Sequence, residues 1–376
     1  MAKNNKLCCI FCTTPYQIMT AVNIKSTTNL DFDIYIVNQF PNSQGYADRL
    51  KKTGFFNDVI LIDAYALRLE ADRSISMNSV NYKINSLYLY LKNCLSLEKT
   101  VKKYFNTDAD YSRIYVSNNA MAGRFACIYS FKHKNNTEFI HYDDGNGSYF
   151  DLKTVYEIPL YDKICRSVIF GKSAAYIQFS KMLYFPELYY SLNGKSESIE
   201  KISISKDCDI LSQIFPLNES QKISEPVIIA DTYKSEEFDD DGIKIYDSLL
   251  SRCESVLGEE NVIYKKHPRD NDTSSKKVLN DMGVPFEMLC YNEDFSDRIL
   301  ISSKSTAVFS PKLFFDQEPY IILLYKMLEK HIKTELDTDP YVEYVKSTYR
   351  NKEKILVPKN GNELNDILSK LKAITN

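Results

Sequence analysis

Short apolar runs alternate along the chain with stretches of helical period, and polar turns separate them. Residues 7–12 are an unbroken apolar run, which predicts a buried first strand. Thr13, Thr14 and Pro15 follow as a turn, with Thr suited to cap a helix and Pro suited to its first position. A helix is predicted to begin over 18–24, then a strand at 32–37, a short helix at 46–52 and a strand at 59–62. A long helical zone covers 79–105. Strands at 113–116 and 138–142 enclose a helix that runs through Tyr129. From 151 to 225 the alternation stops: aromatic and basic residues mix (Tyr161, Arg166, Lys181, Tyr189) between polar turns, which predicts a linker with helices of its own. Alternation resumes with strands at 227–230, 261–264, 298–302, 320–324 and 354–357 and helices at 242–257 and 361–374. The acidic run 239–241 reads as a solvated loop.

Strands alternating with helices predict parallel sheets with crossover connections. The expected fold is therefore α/β of the GT-B type, two doubly wound Rossmann-like domains facing a cleft. Expected boundaries are 1–150 for a first Rossmann-like domain, 151–225 for a helical linker, and 226–376 for a second Rossmann-like domain. A length of 376 residues fits this division.

Composition mainly excludes. With 47 basic and 50 acidic residues the net charge is −3, which argues against a general nucleic-acid binder. Nine Cys without a paired CxxC…CxxC spacing, three of them (Cys8, Cys9 and Cys12) inside the apolar first strand, read as reduced thiols in a cytoplasmic protein. The four His do not cluster with them, so no metal is expected. No run approaches the roughly 18 apolar residues of a spanning helix, and the first run is too short for a signal-peptide core. The chain is expected in the cytoplasm, with peripheral contact at the inner face of the membrane left open. Gly-rich nucleotide loops are absent. Asp31-x-Asp33 and Asp108-x-Asp110 fall at or before strand starts, away from the ends where ligands bind.

The candidate chemistry falls after predicted strands. Asp143 and Asp144 precede Gly145 at one strand end, and one carboxylate could take a proton from an acceptor hydroxyl while the other orients. The same tripeptide would also make an ordinary turn. Lys266, His267, Pro268 and Arg269 end another strand and suit an anionic phosphate. Ser302, Ser303, Ser305 and Thr306 stand before a helix, where hydroxyls and backbone N–H groups bind anions or merely cap. Thr14, Pro15, Tyr16 and Gln17, after the first strand, could contact the acceptor. Asp231, after the strand at 227–230, is a rival base.

An acidic pair with Gly, a later His-Pro and a Ser-Ser/Thr element together resemble the bacterial sialyltransferases, which share a D/E-D/E-G, an HP and an S-S/T motif. The likeness is nearest to glycosyltransferase family 52, the lipooligosaccharide and capsule sialyltransferases. It extends to the Thr-Pro-Tyr-Gln turn and to Tyr189-Tyr190-Ser191-Leu192-Asn193-Gly194. The resemblance matches Asp143 and Asp144 to the acidic motif, His267 and Pro268 to the HP motif, and Ser305 and Thr306 to the S-S/T motif. It implies an inverting transfer of sialic acid from CMP-sialic acid to a galactose or sialic acid hydroxyl of a glycan acceptor, without metal or other cofactor. It also implies a domain-swapped homodimer built through the middle segment. The family's base follows the first strand of the second domain, where Asp231 is the nearest counterpart, so the base stays open among Asp143, Asp144 and Asp231.

Three other readings share these features. One is the same scaffold with a UDP-hexose donor. Another is a CDP-glycerol type polyol-phosphate transferase, with Asp316 as its later acid; it lacks a second catalytic His, since His141 sits within a predicted strand. The third is a carbohydrate- or nucleotide-binding protein without activity, against which three intact motifs argue.

Overall fold

A computed structural model describes residues 6–71, 80–117, 121–150, 160–171, 177–195, 197–204, 208–217, 222–230, 234–266, 276–279, 283–333 and 338–375. The chain divides into two compact units, Met1–Pro216 and Leu217–Asn376.

The first unit is built on seven parallel strands: β1 Leu7–Cys12, β2 Asp31–Val37, β3 Asp58–Ile62, β4 Arg113–Val116, β5 Glu138–Tyr142, β6 Ser180–Leu183 and β7 Ile199–Lys201. Their spatial order is β3-β2-β1-β4-β5-β6-β7. Strand β1 is central and almost wholly buried; its Cys8, Cys9 and Cys12 pack as small apolar side chains. Phe11 of β1 stacks on Tyr35 of β2 at 4.7 Å between ring centres. Gly123 lies against Val116 and Phe11 so closely that an added Cβ would stand 2.8 Å from a Val116 methyl, which fixes the approach of its helix to the sheet.

The helices of this unit are α1 Pro15–Thr28, α2 Ser43–Thr53, α3 Val80–Leu95, α4 Leu97–Val101, α5 Met121–His133, α6 Leu160–Phe170, α7 Pro186–Asn193 and α8 Cys208–Ile214. The predicted zone at 79–105 is two helices, broken at Ser96. The Ser96 hydroxyl donates back to the Lys92 carbonyl at 2.8 Å, a local bond that competes with helix continuation.

The middle stretch differs from expectation. It is not purely helical, because β6 and β7 extend the first sheet. Lys181 disguised β6 as surface. Its ammonium is buried and donates to the Tyr189 hydroxyl at 2.6 Å and to Glu197, so a charged residue occupies a strand without an unpaired charge.

The second unit carries β8 Val227–Ala230, β9 Val262–Lys265, β10 Ile299–Ser302, β11 Tyr320–Leu323 and β12 Ile355–Leu356, in the order β12-β11-β10-β8-β9 and all parallel. Its helices are α9 Lys234–Glu237, α10 Asp240–Leu257, α11 Phe286–Asn292, α12 Ser310–Phe315, α13 Tyr325–Leu328, α14 Asp339–Thr348 and α15 Gly361–Thr375. The acidic run 239–241 is not a loop. Asp239 caps α10, accepting the Gly242 N–H at 2.7 Å, and Asp240 and Asp241 fill the first turn, where negative charge suits the helix dipole. Among the described residues, no helix is long and apolar enough to cross a membrane.

Candidate functional site

In the first unit the strand order reverses between β1 and β4. Doubly wound sheets bind ligands beyond the carboxyl ends of their strands at such a reversal. The residues after β1 build this end. Thr14 caps α1, its hydroxyl accepting the Gln17 N–H at 3.2 Å, and Pro15 takes an early helical position that needs no donor. Gln17 is buried. Its Oε1 accepts the Thr13 N–H at 2.6 Å and the Thr13 hydroxyl at 3.0 Å, while its Nε2 donates to Ser117 Oγ at 3.0 Å. Ser117 follows β4, so this side chain ties together the two strand ends at the reversal.

Asp143 and Asp144 follow β5, the next strand along. They are chemically alike and structurally different. Asp143 is fully buried. Its Oδ1 accepts the Tyr16 hydroxyl at 3.1 Å and the Gly145 N–H at 3.0 Å. Its Oδ2 accepts the Tyr149 hydroxyl and, at 3.3 Å, the Tyr184 N–H. Burial pushes the carboxyl up to about 6, with the Asp144 charge adding to the rise and the bonds from Tyr149, Gly145 and Tyr184 opposing it. Asp144 is half-buried. The Ser148 hydroxyl donates to its Oδ1 at 2.7 Å, and the Asp144 N–H donates to Ser148 Oγ at 3.0 Å. Gly145 sits at φ 117°, a conformation L side chains avoid, and that turn lets the chain fold back so that Tyr149 reaches Asp143.

In the second unit the order reverses between β8 and β10. Ser302, the last residue of β10, is buried. Its hydroxyl donates to the Ala230 carbonyl at the end of β8 at 2.9 Å and accepts the Ser305 N–H at 3.1 Å. Ser303 is also buried, and its hydroxyl donates to Glu237 of α9 at 2.8 Å. Ser302 and Ser303 thus shape the loop, while Ser305 and Thr306 stand half-buried at its turn into a short 3₁₀ segment, Thr306–Phe309. Lys304 is half-buried between them. Burial holds its ammonium below the ordinary lysine range, and the Glu237 charge opposes that shift.

Lys265 ends β9 and Lys266 follows it, half-buried. His267, Pro268, Arg269 and Asp231 lie outside the described residues. Asp231 directly follows Ala230, whose carbonyl takes the Ser302 hydroxyl.

Asp33 is far from the strand ends that carry these loops. It lies near the start of β2, buried, and accepts the Tyr111 hydroxyl at 2.6 Å. Asp316 is the left-handed residue (φ 55°) that ends α12, with its carboxylate held by Lys312 at 2.6 Å. His141 faces Phe179 with ring centres 4.1 Å apart, and burial lowers its imidazole to about 4.

Ser117, Tyr149, Tyr184, Lys304 and Glu237 complete these two ends; Ser117, Lys304 and Glu237 stand in or beside stretches singled out in the sequence, but none of the five was assigned a role there. Ser117 carried a signal, since it follows a strand. Tyr149 and Tyr184 carried none, because their partners are fixed only by the fold, and Glu237 showed only its nearness to Asp231.

No family model matches the chain, and no curated protein matches it in sequence. Among solved structures, Arabidopsis thaliana UGT89C1 complexed with UDP-L-rhamnose is similar over 99% of this chain and 92% of that one, with TM-score 0.53 and 9% identity. The same protein complexed with quercetin matches over 99% and 92%, with TM-score 0.52 and 8% identity. At such identity the likeness is one of fold. The fold is α/β of the GT-B type, carried on parallel sheets of seven and five strands.

Proposed function

We propose that the protein is an inverting, metal-independent glycosyltransferase that moves sialic acid from CMP-sialic acid to a glycan hydroxyl. One observation carries the reading. In each unit a side-chain hydrogen bond spans the strand-order reversal, Gln17 to Ser117 in the first and Ser302 to Ala230 in the second. The acidic and hydroxyl motifs stand beside these bonds, at the sheet ends where doubly wound folds bind ligands. The GT-B likeness supports a nucleotide-sugar reaction, and the motif resemblance supports the sialyl donor.

The burial of the two carboxylates divides their roles. A base must first reach the proton it takes. Asp144, half-buried and oriented by Ser148, is the residue assigned to the acceptor hydroxyl. Asp143 acts as a positioning residue that ties the turn at Tyr16 to the loop at Tyr149. Asp231 is the alternative base. As the proton leaves, the acceptor oxygen attacks the anomeric carbon from the face opposite the phosphate. The bond to the phosphate oxygen breaks with its electron pair on that oxygen, and the anomeric centre inverts. Ser305, Thr306 and Lys304 hold the phosphate, and His267, with Lys266 and Arg269, donates to the departing oxygen. Removing one preorganised donor of this kind costs about 10²–10³ in rate.

A UDP-sugar donor is the second reading, favoured by the likeness to a structure solved with UDP-L-rhamnose. One experiment separates the two. The purified protein is incubated with EDTA and, in turn, CMP-sialic acid, UDP-glucose, UDP-galactose and CDP-glycerol, and released nucleotide is measured. CMP released from CMP-sialic acid alone, and lost in His267→Ala, is the expected result. UDP release in its place moves the assignment to the second reading, and release from none of the four rejects both.

A further inference from the structure

Helix α3 has two apolar faces. One holds Leu89, Tyr90 and Cys94 and is buried in the first unit. The other holds Val80, Ile84, Leu87, Tyr88, Leu91 and Leu95. At about 100° per residue these six fall within a stripe of about 100°. This second stripe is not covered: Val80 is 70%, Ile84 61% and Leu95 75% exposed. A run of large apolar side chains left in water along one helix face marks an interaction surface.

The charges around the stripe define the partner. The 16 residues of α3 include no acid. Lys83 and Lys92 fall on its two edges, both exposed. Beyond Lys92 opens a groove of about 680 Å³, lined by Arg68, Tyr88, Lys92, Leu95, Lys99 and Lys103 among others, none of them acidic. None of these cations makes an ion pair with a described residue. Glu98, the acid of α4, is engaged by His133 of α5 at 3.3 Å. Arg68 is held at the groove in a left-handed conformation (φ 53°), and its carbonyl accepts from the buried Asn93 amide at 3.0 Å. An apolar stripe with an aromatic side chain, flanked on both edges by cations that have no ion-pair partner among the described residues, fits the boundary of a bilayer that carries negative headgroups.

We propose that the α3 face and its adjoining basic groove dock the protein on an anionic lipid surface. The stripe enters the headgroup boundary, and Arg68, Lys83, Lys92, Lys99 and Lys103 meet lipid phosphates. The inference is independent of the assigned reaction.

The test is co-sedimentation of the full chain with vesicles of phosphatidylcholine alone and of phosphatidylcholine with phosphatidylglycerol, at low and high salt. Binding is expected only to the anionic vesicles and is expected to weaken with salt. Replacing Lys92, Lys99 and Lys103 together by Gln should weaken it about a hundredfold, at about fivefold per charge. Ile84→Ser with Leu95→Ser should weaken it about tenfold or more. Both side chains are exposed, so the thermal midpoint and the release of nucleotide from a water-borne donor should not change. Lys244→Gln, in the second unit, should bind as the parent does. Equal binding to both vesicles, or to neither, overturns the proposal. So does a dimer that Ile84→Ser/Leu95→Ser dissociates while vesicle binding persists, because the stripe then belongs to a second copy.

Discussion

The Tyr16 hydroxyl donates to Asp143 Oδ1 across 3.1 Å, joining the turn after the first strand to the end of the fifth. The bond favours the charged carboxylate, which burial disfavours. Protonation near pH 6 would cost Asp143 part of its capacity to accept from four donors. Turnover should therefore fall as pH drops through about 6. Tyr16→Phe should move that inflection upward by about 0.5–1 pH unit, the worth of one hydrogen bond. Asp143→Asn should abolish it. A pH–rate series on the three proteins checks this, and an unmoved inflection in Tyr16→Phe would show that another group governs the limb.

Stability should show two opposed slopes in the same window. Asp143 has a folded value of about 6 against an ordinary 3.8, so its contribution is full below about 4 and is lost as pH rises through 6. His141 has a folded value of about 4 against an ordinary 6.5, so its contribution is present above 6.5 and is lost as pH falls towards 4. Each effect is on the order of 3 kcal/mol and the two largely cancel. Among the described residues His141 Nδ1 is buried without a hydrogen-bond partner, so Phe should be tolerated there at the loss of the ring's bond to the Val116 backbone. His141→Phe should become less stable from pH 4 to 6, and Asp143→Asn more stable. Urea unfolding across that range is the measurement.

The serines of the second unit should separate by function. Ser303→Ala removes a buried donor from Glu237 and should cost about 1–3 kcal/mol of stability. Thr306→Ala, at a half-buried site, should change stability by about 0.5 kcal/mol or less and weaken nucleotide binding. Thermal unfolding and titration calorimetry on both variants distinguish a shaping residue from a contacting one. Equal losses of stability would remove the distinction.

Lys312 and Glu318 form a buried ion pair at 2.6 Å. Burial works to raise Glu318, but N–H bonds from Arg350 and Asn351 and the Lys312 ammonium bring its carboxyl down to about 2. Glu318→Ala leaves the buried Lys312 with only the exposed Asp316 carboxylate and takes the acceptor from the Arg350 and Asn351 N–H groups, and should cost about 3 kcal/mol, read as a lower unfolding midpoint. Arg350→Ala removes a mostly exposed partner and should cost under about 1 kcal/mol.

Much of the architecture was legible along the chain. Strands at 113–116, 138–142 and 227–230 match the structure residue for residue, because a short apolar run bounded by turn residues has few other ways to bury itself. The motifs after β1, β5 and β10 were equally plain, since turn chemistry is local. Strand β6 was not legible. Its buried Lys181 is tolerable only beside Tyr189 and Glu197, and no pattern of periods encodes that pairing. Nor does adjacency tell Asp143 from Asp144, or Ser303 from Ser305. The fold makes those distinctions by bringing Tyr16, 127 positions away, to one carboxylate and Glu237 to one hydroxyl. Period and turn residues determine which segments are buried. Only the assembled sheets determine which polar groups have their hydrogen bonds satisfied inside and which stay open to the surface.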